Sequence, residues 1–288
     1  PFGVAMAHNG NLTNWVDLKA NKFPEDNICL ESSCDVEAIL YAFAQGMLRT
    51  IGSDPIADRI KAAVAAAFDR AKGAYSVCGI LSEGVLFAFR DPSGIKPCIV
   101  GRRESEEGVE WAVASESVAF DVIGFDRYRD LRNGEAVVIV PGEEPIFIQV
   151  AEHAHTPCIF ELVYFSRPDS FLDKISVYKS RRRFGEALAE QWLAAGAPKA
   201  DVVIPIPDSA RDAALSMAEA LGLPYREGFT KNRYVGRTFI MPNQEERQRS
   251  IRRKLNPIPL EFEGKNVLLV DDSIVRGTTS VKIVEMMR

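Results

Sequence analysis

Hydrophobic residues recur at helical or alternating spacing through the first 150 residues of the chain. Residues 35–49 and 55–72 carry apolar side chains three and four positions apart, which predicts two helices. Short segments rich in Val, Ile and Phe are predicted strands, at 75–81, 85–89, 98–101, 111–114, 136–140 and 146–150. Because short turns such as 90–94 separate neighbouring strands, we expect an antiparallel sheet with helices beside it.

The pattern changes near residue 160. A turn-rich joint at 166–170 precedes a predicted helix at 176–195. A strand at 201–206, a helix at 210–221 and a strand at 266–270 then follow one another, as in a parallel α/β unit. With 288 residues at about 150 per domain, the chain is expected to form two domains, 1–160 and 161–288. The predicted fold class is α+β followed by α/β.

Composition places the chain among folded globular proteins. Hydrophobic residues make up 47% and charged residues 26%, which excludes disordered, collagen-like and coiled-coil classes. The net charge of −5 argues against a DNA-coating surface but allows local basic patches. Five scattered cysteines without a CxxC pair are atypical of a disulfide-stapled secreted protein, so we expect a cytoplasmic location.

The sequence contains no apolar run near the roughly 18 residues that span a bilayer, and no signal peptide opens it. We therefore expect no membrane association. The chain starts with Pro1 inside an apolar stretch, and its last ten residues resemble the first turns of a helix without a stop signal. We interpret the sequence as a fragment that lacks both termini.

The densest chemistry follows the apolar run at 267–270. Asp271 and Asp272 come directly after it, and Gly277-Thr278-Thr279 then leads into a predicted helix. Ligands of open α/β sheets bind beyond the carboxyl ends of strands, where such a turn offers N–H groups to a phosphate. Adjacent carboxylates would repel a bare phosphate, so they favour sugar hydroxyls or Mg²⁺. The alternative is an ordinary strand with an Asp cap and a surface turn.

A basic segment separates the last two predicted strands of the chain. Residues 226–254 contain nine Lys or Arg and only three Glu, which predicts an anionic partner. A solvated basic face and a nucleic-acid patch are the alternatives. Tyr234 and Phe239 alone make a poor stacking series, and both neighbouring strands end in candidate phosphate sites, so pyrophosphate is favoured and nucleic acid is not expected.

Two polar motifs lie in the first half of the chain. His8-Asn9-Gly10-Asn11 predicts a tight turn, and Asp35 is placed to cap the helix that it opens. His153, His155 and Cys158 superficially suggest a metal site, but three candidate ligands on an alternating strand are weak support, and we do not predict one there.

Several of these segments resemble one family. Residues 267–279 resemble the phosphoribosyl pyrophosphate (PRPP) motif of type I phosphoribosyltransferases. Residues 202–209, 160–178, 231–242 and 250–255 are similar to stretches of the glutamine phosphoribosylpyrophosphate amidotransferase family. The resemblance covers nearly the whole chain. It implies a truncated αββα glutaminase domain of the N-terminal-nucleophile type, then a truncated type I phosphoribosyltransferase domain with a parallel sheet, in a cytoplasmic homotetramer.

The resemblance also implies a role for each matching residue. In the first domain the oxyanion hole is formed by Asn9 and Gly10, and the α-amino group of glutamine binds Asp35, although Cys34 stands where the family more often has Ser. The ribose hydroxyls bind Asp271 and Asp272, which hold Mg²⁺ together with Ser209. The 5-phosphate binds Arg276, Gly277, Thr278 and Thr279. The loop closing over PRPP contributes Tyr234, Arg237 and Lys254.

The implied reaction has two steps. Glutamine is hydrolysed in the first domain, and the ammonia displaces pyrophosphate from C1 of PRPP in the second, which gives phosphoribosylamine and opens purine synthesis. Purine nucleotides are implied as inhibitors. The family's nucleophile is an N-terminal Cys that this sequence does not contain, so we expect no glutaminase activity from the chain as given.

The resemblance also bears on the role of Cys158. Some family members carry an iron–sulfur cluster with a ligand near Cys158, but we expect this cysteine to be a buried small hydrophobe and no cluster to be present. Two rival functions are the alternatives. A nucleobase salvage phosphoribosyltransferase would have no use for the first 150 residues. A PRPP-sensing regulator could dispense with the basic segment.

Overall fold

The structure is a computed structural model, and it describes residues 3–52, 55–106, 108–232, 255–274 and 277–287. The chain divides into two compact units. The first comprises Pro1–Glu161 and Asp169–Ile175, and the second comprises Leu162–Pro168 and Ser176–Arg288. Both units pack helices on strands, so the predicted mixture of α and β structure is confirmed. Within these described ranges, no helix is both long enough and apolar enough to cross a bilayer.

Antiparallel strands build the first unit, as predicted. Its strands are β1 (Val4–Leu12), β2 (Gly73–Leu81), β3 (Leu86–Arg90), β4 (Ile99–Ser105), β5 (Gly108–Ala114), β6 (Asp126–Asp130), β7 (Glu135–Ile139) and β8 (Ile146–Gln149). Five join in the order β1-β2-β3-β7-β8, and three join in the order β5-β4-β6. Its helices are α1 (Val36–Arg49), α2 (Ile56–Arg70) and α3 (Val118–Ile123), with shorter helical turns at Trp15–Asp17, Leu18–Lys22 and Phe23–Glu25.

The alternation of side chains along β3 divides the apolar residues of this unit into two layers. Phe87 and Phe89 face α1 and α2, and the ring of Phe87 stacks on that of Phe43 with centroids 4.5 Å apart. Ala88, between them, faces the other way and packs with Val100 of the three-stranded sheet. Because successive strand residues point to opposite faces, one strand supplies both cores.

Residues 8–11 do not form the predicted tight turn. They lie inside β1, which pairs antiparallel with β2, and Gly10 stands opposite Tyr75. A Cβ atom on Gly10 would lie 2.2 Å from the carbonyl oxygen of Ala74 and 2.6 Å from Cα of Tyr75. The glycine therefore allows the close approach of β2, and the Asn-Gly pair that usually marks a turn has a packing role here.

Helix α3 and strand β6 are among the elements of the first unit that were not predicted from the sequence. Strand β6 is highly charged, and its arginines Arg127 and Arg129 pair with Asp130 and Glu135. The Arg129–Glu135 pair is bidentate, with N–O distances of 2.7 and 2.9 Å. Since these charges are compensated by tertiary partners, the strand needs no apolar alternation and gives no periodic signal.

A buried arginine organises the turn that follows β3. Arg90 is 2% exposed and makes a bidentate ion pair with Asp173, at 2.7 and 2.9 Å. Its remaining donors reach the carbonyl oxygens of Lys96, Leu131 and Gly94 at 2.6 to 2.9 Å. Burial pushes the pKa of Asp173 up, but the hydrogen bonds and charge of Arg90 outweigh it and leave the pKa below its usual value.

We expect Asp173→Ala to lower the free energy of unfolding by about 3 kcal/mol, because it leaves a buried guanidinium without its counter-charge. Denaturant unfolding at neutral pH measures this. Glu104→Ala removes the partner of Arg102 at an exposed site and should have far less effect. Since the pKa of Asp173 is lowered, its stabilising effect is complete above about pH 4 and is lost as pH falls further. The free energies of unfolding of the wild-type protein and of Asp173→Ala should therefore converge in acid.

Helices cover both faces of a parallel strand pair in the second unit. The pair is β11 (Val202–Pro205) and β14 (Val267–Val270), and the parallel pairing confirms the prediction. The other elements are β12 (Phe229–Lys231), β13 (Leu255–Pro257), α4 (Val177–Ala194), α5 (Arg211–Leu221), α6 (Pro259–Phe262) and α7 (Thr278–Met287). The short strands β9 (Phe171–Leu172) and β10 (Ile175–Ser176) precede them in the chain and pair with each other; except for Ser176, they belong to the first unit.

The two faces of the parallel pair have separate cores. Val203 and Leu268 pack with α5 through Met217 on one face. Ile204 packs on the other face with Phe262 and with residues of β12, β13 and α7. A strand covered on both faces is continuously apolar, and this is why Val267–Val270 has no polar alternation.

Cys158 is partly exposed. The prediction that it is a buried small hydrophobe is therefore wrong, since residues 151–158 have no regular secondary structure and do not bury it.

Candidate functional site

The carboxyl ends of β11 and β14 meet at one edge of the second unit. The N–H of Ile206 donates to the carbonyl oxygen of Val270 at 2.8 Å, which keeps the two chains together just beyond the strands. Ser209 follows β11 by four residues, and its hydroxyl donates to the carboxylate of Asp272. The other oxygen of Asp272 accepts from the hydroxyl of Ser273 at 2.8 Å. The fold thus brings together Ser209 and the acidic pair that were singled out in the sequence.

Asp271 lies in an environment that opposes its ionisation. Burial, and next the negative charge of Asp272, raise its pKa to about 6, although the N–H of Asp272 donates to it at 2.9 Å and acts in the opposite direction. Two neighbouring carboxylates at a partly buried strand end therefore lack a full compensating charge. Their oxygens and the Ser209 hydroxyl form the donor set that hard divalent cations prefer, so the residues present fit a metal of that class.

Another charged group lies on the same edge. Asp208 accepts a hydrogen bond from Lys231 at the end of β12, and Arg211 at the start of α5 lies 3.5 Å from its carboxylate. This cluster was not predicted from the sequence, because Lys231 comes from a strand 23 residues beyond Asp208, although Arg211 is only three residues away. Its only sequence signal is the position of Asp208 directly beside Ser209.

The turn before α7 fits the predicted phosphate loop in its backbone. Gly277 adopts a left-handed conformation with φ of 73°, and the helix begins at the next residue, Thr278. The side chains of Thr278 and Thr279 lie outside the described residues, as do Arg276 and the loop candidates Tyr234, Arg237 and Lys254.

The first unit holds its candidate residues where α1 meets β1. Asp35 precedes α1, but its side chain makes no capping hydrogen bond, so the alternative in which it simply caps the helix is wrong. Its Oδ2 atom instead accepts from the N–H of Leu12 at 2.7 Å, and its Oδ1 atom lies 3.0 Å from Nε2 of His8. The carboxylate of Asp35 therefore binds Leu12 on β1, which is distant in the sequence, and does not cap the helix that follows it.

Asn9 and Gly10 lie between the two β1 residues that contact Asp35. The alternating burial of β1 puts His8 and Gly10 on the partly buried face, with Val4 and Met6, while Asn9 is exposed. No pattern in the sequence singles out His8 as a partner of Asp35. One feature could have indicated it. His8 faces inward on a strand whose other inward-facing residues are apolar or glycine.

Comparison with known proteins gives consistent matches over the whole chain. A family model described as a glutamine amidotransferase domain matches residues 2–122. The chain is 49% identical over 290 residues to an amidophosphoribosyltransferase of Pseudomonas aeruginosa, with 100% of the chain and 58% of the relative covered. The Escherichia coli relative of the same name is 48% identical over 294 residues, again with 100% and 58% covered.

Solved structures give the same result. A glutamine PRPP amidotransferase from B. subtilis, complexed with ADP and GMP, superposes with a TM-score of 0.80 at 38% sequence identity and covers 99% of this chain and 58% of its own. The chain thus spans a little over half the length of the curated relatives and solved structures that it matches. At these identities across both compact units, the chain is similar along its whole length to amidophosphoribosyltransferases.

Proposed function

We propose that this chain is part of an enzyme that converts PRPP to 5-phosphoribosylamine, with glutamine as the nitrogen source, in the first step of purine synthesis. Residues 1–160 are assigned as a glutaminase domain of the αββα type and residues 161–288 as a type I phosphoribosyltransferase domain. One observation carries the proposal: the match to amidophosphoribosyltransferases extends over 100% of the chain and therefore includes both candidate sites.

The second unit is proposed to bind PRPP and Mg²⁺ at the joint strand end. Asp271 and Asp272 would accept hydrogen bonds from the ribose hydroxyls and, together with Ser209, would hold the ion. Bound Mg²⁺ supplies positive charge for the pyrophosphate leaving group. The backbone turn at Gly277 and the start of α7 would receive the 5-phosphate, together with Arg276, Thr278 and Thr279.

Leaving-group chemistry favours cations over proton donors at this edge. Pyrophosphate departs with its charge, so groups that stabilise the transition state must present fixed positive charge where that negative charge develops. Arg237 and Lys254 are the proposed groups, and Tyr234 is the third residue of the proposed closing loop. Closure would also exclude water from the reactive C1 carbon.

The first unit is proposed to release ammonia from glutamine. Asp35 would accept hydrogen bonds from the substrate α-amino group, and Asn9 with the N–H of Gly10 would stabilise the oxyanion on the amide carbon. The support is the hydrogen bond from Leu12, which fixes Asp35 beside the strand that carries Asn9 and Gly10. A salvage phosphoribosyltransferase is disfavoured because it would not need the glutamine amidotransferase domain matched at residues 2–122.

Three further properties belong to the same proposal. Purine nucleotides would inhibit the enzyme, which is supported by the ADP and GMP in the related B. subtilis structure. The enzyme would be a cytoplasmic homo-oligomer, a tetramer by resemblance to its family. The scattered cysteines, which are all unpaired in the described residues, are compatible with a reducing compartment.

The deciding experiment is pyrophosphate release by the full-length protein with PRPP and Mg²⁺, using glutamine and then ammonium. We expect release with both nitrogen sources, and glutamate in step with pyrophosphate when glutamine is used. Release with ammonium alone would leave the second site supported and the first one refuted. The PRPP-sensing regulator predicts PRPP binding without any pyrophosphate release.

A separate prediction concerns Mg²⁺ and pH. Because the pKa of Asp271 is raised to about 6, its contribution to stability is complete below about pH 4 and is lost as pH rises through 6. A bound cation favours the ionised carboxylates and reverses this loss. We therefore expect Mg²⁺ to raise the Tm more at about pH 7.5 than at about pH 5.

Thermal unfolding with Mg²⁺ or with a chelator at the two pH values measures this effect. Asp271→Asn should make the Mg²⁺-induced shift small and similar at both pH values. Asp201→Asn, at the opposite end of β11, should keep the wild-type pattern. A wild-type shift that does not depend on pH would contradict the assignment of Asp271 to the metal site.

A further inference from the structure

Three side chains able to bind a metal ion meet where β1 passes the start of α1. They are His8, Cys34 and Asp35, and their ligand atoms all lie within 4.8 Å of one another. Among the residues that the structure describes, this is the only group of three or more His, Cys, Asp and Glu side chains that is so close. It lies in the first unit and shares no residue with the oxygen cluster of the second unit.

The imidazole of His8 supplies an independent indication of a ligand. The His8 side chain is 10% exposed, and its Nε2 atom makes no hydrogen bond in the described part of the chain. This atom is 3.0 Å from Oδ1 of Asp35, but the contact does not meet the geometry of a hydrogen bond. Buried polar atoms are nearly always hydrogen-bonded, so a nitrogen held in this way beside a thiol and a carboxylate is unusual.

The other two ligands are positioned by bonds that leave their ligand atoms free to bind. Oδ2 of Asp35 accepts from the N–H of Leu12, so Oδ1 is the oxygen nearest His8. The N–H of Cys34 donates to the hydroxyl of Ser32 at 3.1 Å, and Glu37 accepts from that hydroxyl and from the N–H of Ser32. These contacts use the backbone of Cys34 and leave its thiol, which is exposed, to solvent.

We propose that this cluster is a binding site for one Zn²⁺ ion, with His8 Nε2, Cys34 Sγ and Asp35 Oδ1 as ligands and the fourth position open. Nitrogen, thiolate and carboxylate ligands are those of zinc sites, and they exclude the hard cations expected in the second unit. A thiolate and a carboxylate balance the charge of the ion, and the imidazole stays neutral. Binding transfers the thiol proton to solvent.

Zn²⁺ at this site would interfere with the proposed binding of glutamine. This consequence rests on the proposed function. The Asp35 oxygen that binds Zn²⁺ cannot at the same time accept hydrogen bonds from the α-amino group of glutamine. The metal and glutamine would therefore exclude each other, and Zn²⁺ would inhibit glutamine use.

The test reads the metal directly and needs no glutamine. The full-length protein is freed of metal with a chelator and titrated with Co²⁺, which shows a thiolate-to-cobalt charge-transfer band when a cysteine binds it. We expect one equivalent of Co²⁺ to produce the band. Cys34→Ser should abolish it and weaken Zn²⁺ binding by more than about tenfold, since removal of a ligand costs at least as much as removal of its supporting residues.

Cys29→Ser is the matched control, because Cys29 is also exposed and lies five residues away but outside the cluster. It should retain the band. Absence of the band in the wild-type protein, or its persistence in Cys34→Ser, would overturn the proposal.

A second measurement on the unmodified protein removes any dependence on the folding of a variant. Zn²⁺ should slow alkylation of Cys34 by iodoacetamide at least about tenfold, measured by peptide mass spectrometry, without protecting Cys29. Equal alkylation of Cys34 with and without Zn²⁺ would refute the site.

Discussion

Asp272→Asn is expected to reduce ammonium-dependent pyrophosphate release by about 100-fold or more, because it removes charge from the proposed ion and ribose site at once. The substitution keeps the shape of the side chain but halves its capacity to accept hydrogen bonds and bind a cation. It also leaves the Ser209 hydroxyl beside a weaker acceptor. A steady-state assay at saturating ammonium isolates this site, since the first unit then has no part in nitrogen supply.

Asp201→Asn is the control for that experiment. Asp201 precedes β11 and accepts hydrogen bonds from the backbone and side chain of Asn266, so it lies at the opposite edge of the same strand pair. It should retain close to wild-type activity. If Asp272→Asn were equally active, while far-ultraviolet circular dichroism showed both variants folded, the strand-end site would be assigned wrongly.

Asp35→Asn is expected to separate the two nitrogen sources. The loss of a charged acceptor for the glutamine α-amino group should raise the KM for glutamine about 10- to 100-fold, which corresponds to a charged hydrogen bond of about 1.5–3 kcal/mol. Ammonium-dependent activity should be unchanged, because ammonium enters the reaction after the glutamine step. The ratio of the two activities is therefore the informative quantity, and it is independent of enzyme concentration.

Asp58→Asn provides the matched control in the first unit. Asp58 is an exposed carboxylate in the first turn of α2, as Asp35 is a carboxylate at the start of α1, but it makes no hydrogen bond or ion pair with β1 among the described residues. Its substitution should leave both activities unchanged. A parallel fall of both activities in Asp35→Asn would show that the side chain matters for folding and would not support substrate binding.

The periodic parts of the chain were predictable because their packing does not require one particular partner. The α1 and α2 segments bury an apolar stripe against any suitable sheet, and the spacing of that stripe is readable without knowing which sheet it is. Val267–Val270 was equally readable, since a strand covered on both faces must be continuously apolar. The acidic pair after it was identified because open α/β sheets place ligands at that edge.

The elements that escaped prediction depend on particular partners. Strand β6 consists largely of charged residues, and its arginines become compatible with a sheet only because Asp130 and Glu135 lie beside them. Gly10 lies in a strand at a point where Ala74 and Tyr75 approach it closely, and only a residue without a side chain fits there. The turn propensity of an Asn-Gly pair is local and small, and pairing along the whole of β1 overrides it.

The sequence alone determined the longer helices and the apolar strands in both halves of this protein, and the residue types at the ends of β11 and β14. These follow from short-range periodicity and from the chemistry of single side chains. Only the tertiary structure decided that the Ser209 hydroxyl meets Asp272, that Asp35 binds Leu12 in place of capping α1, and that His8 lies beside Cys34. Contacts of this kind join residues far apart in the chain, and their energy depends on distance and burial, which no local pattern encodes.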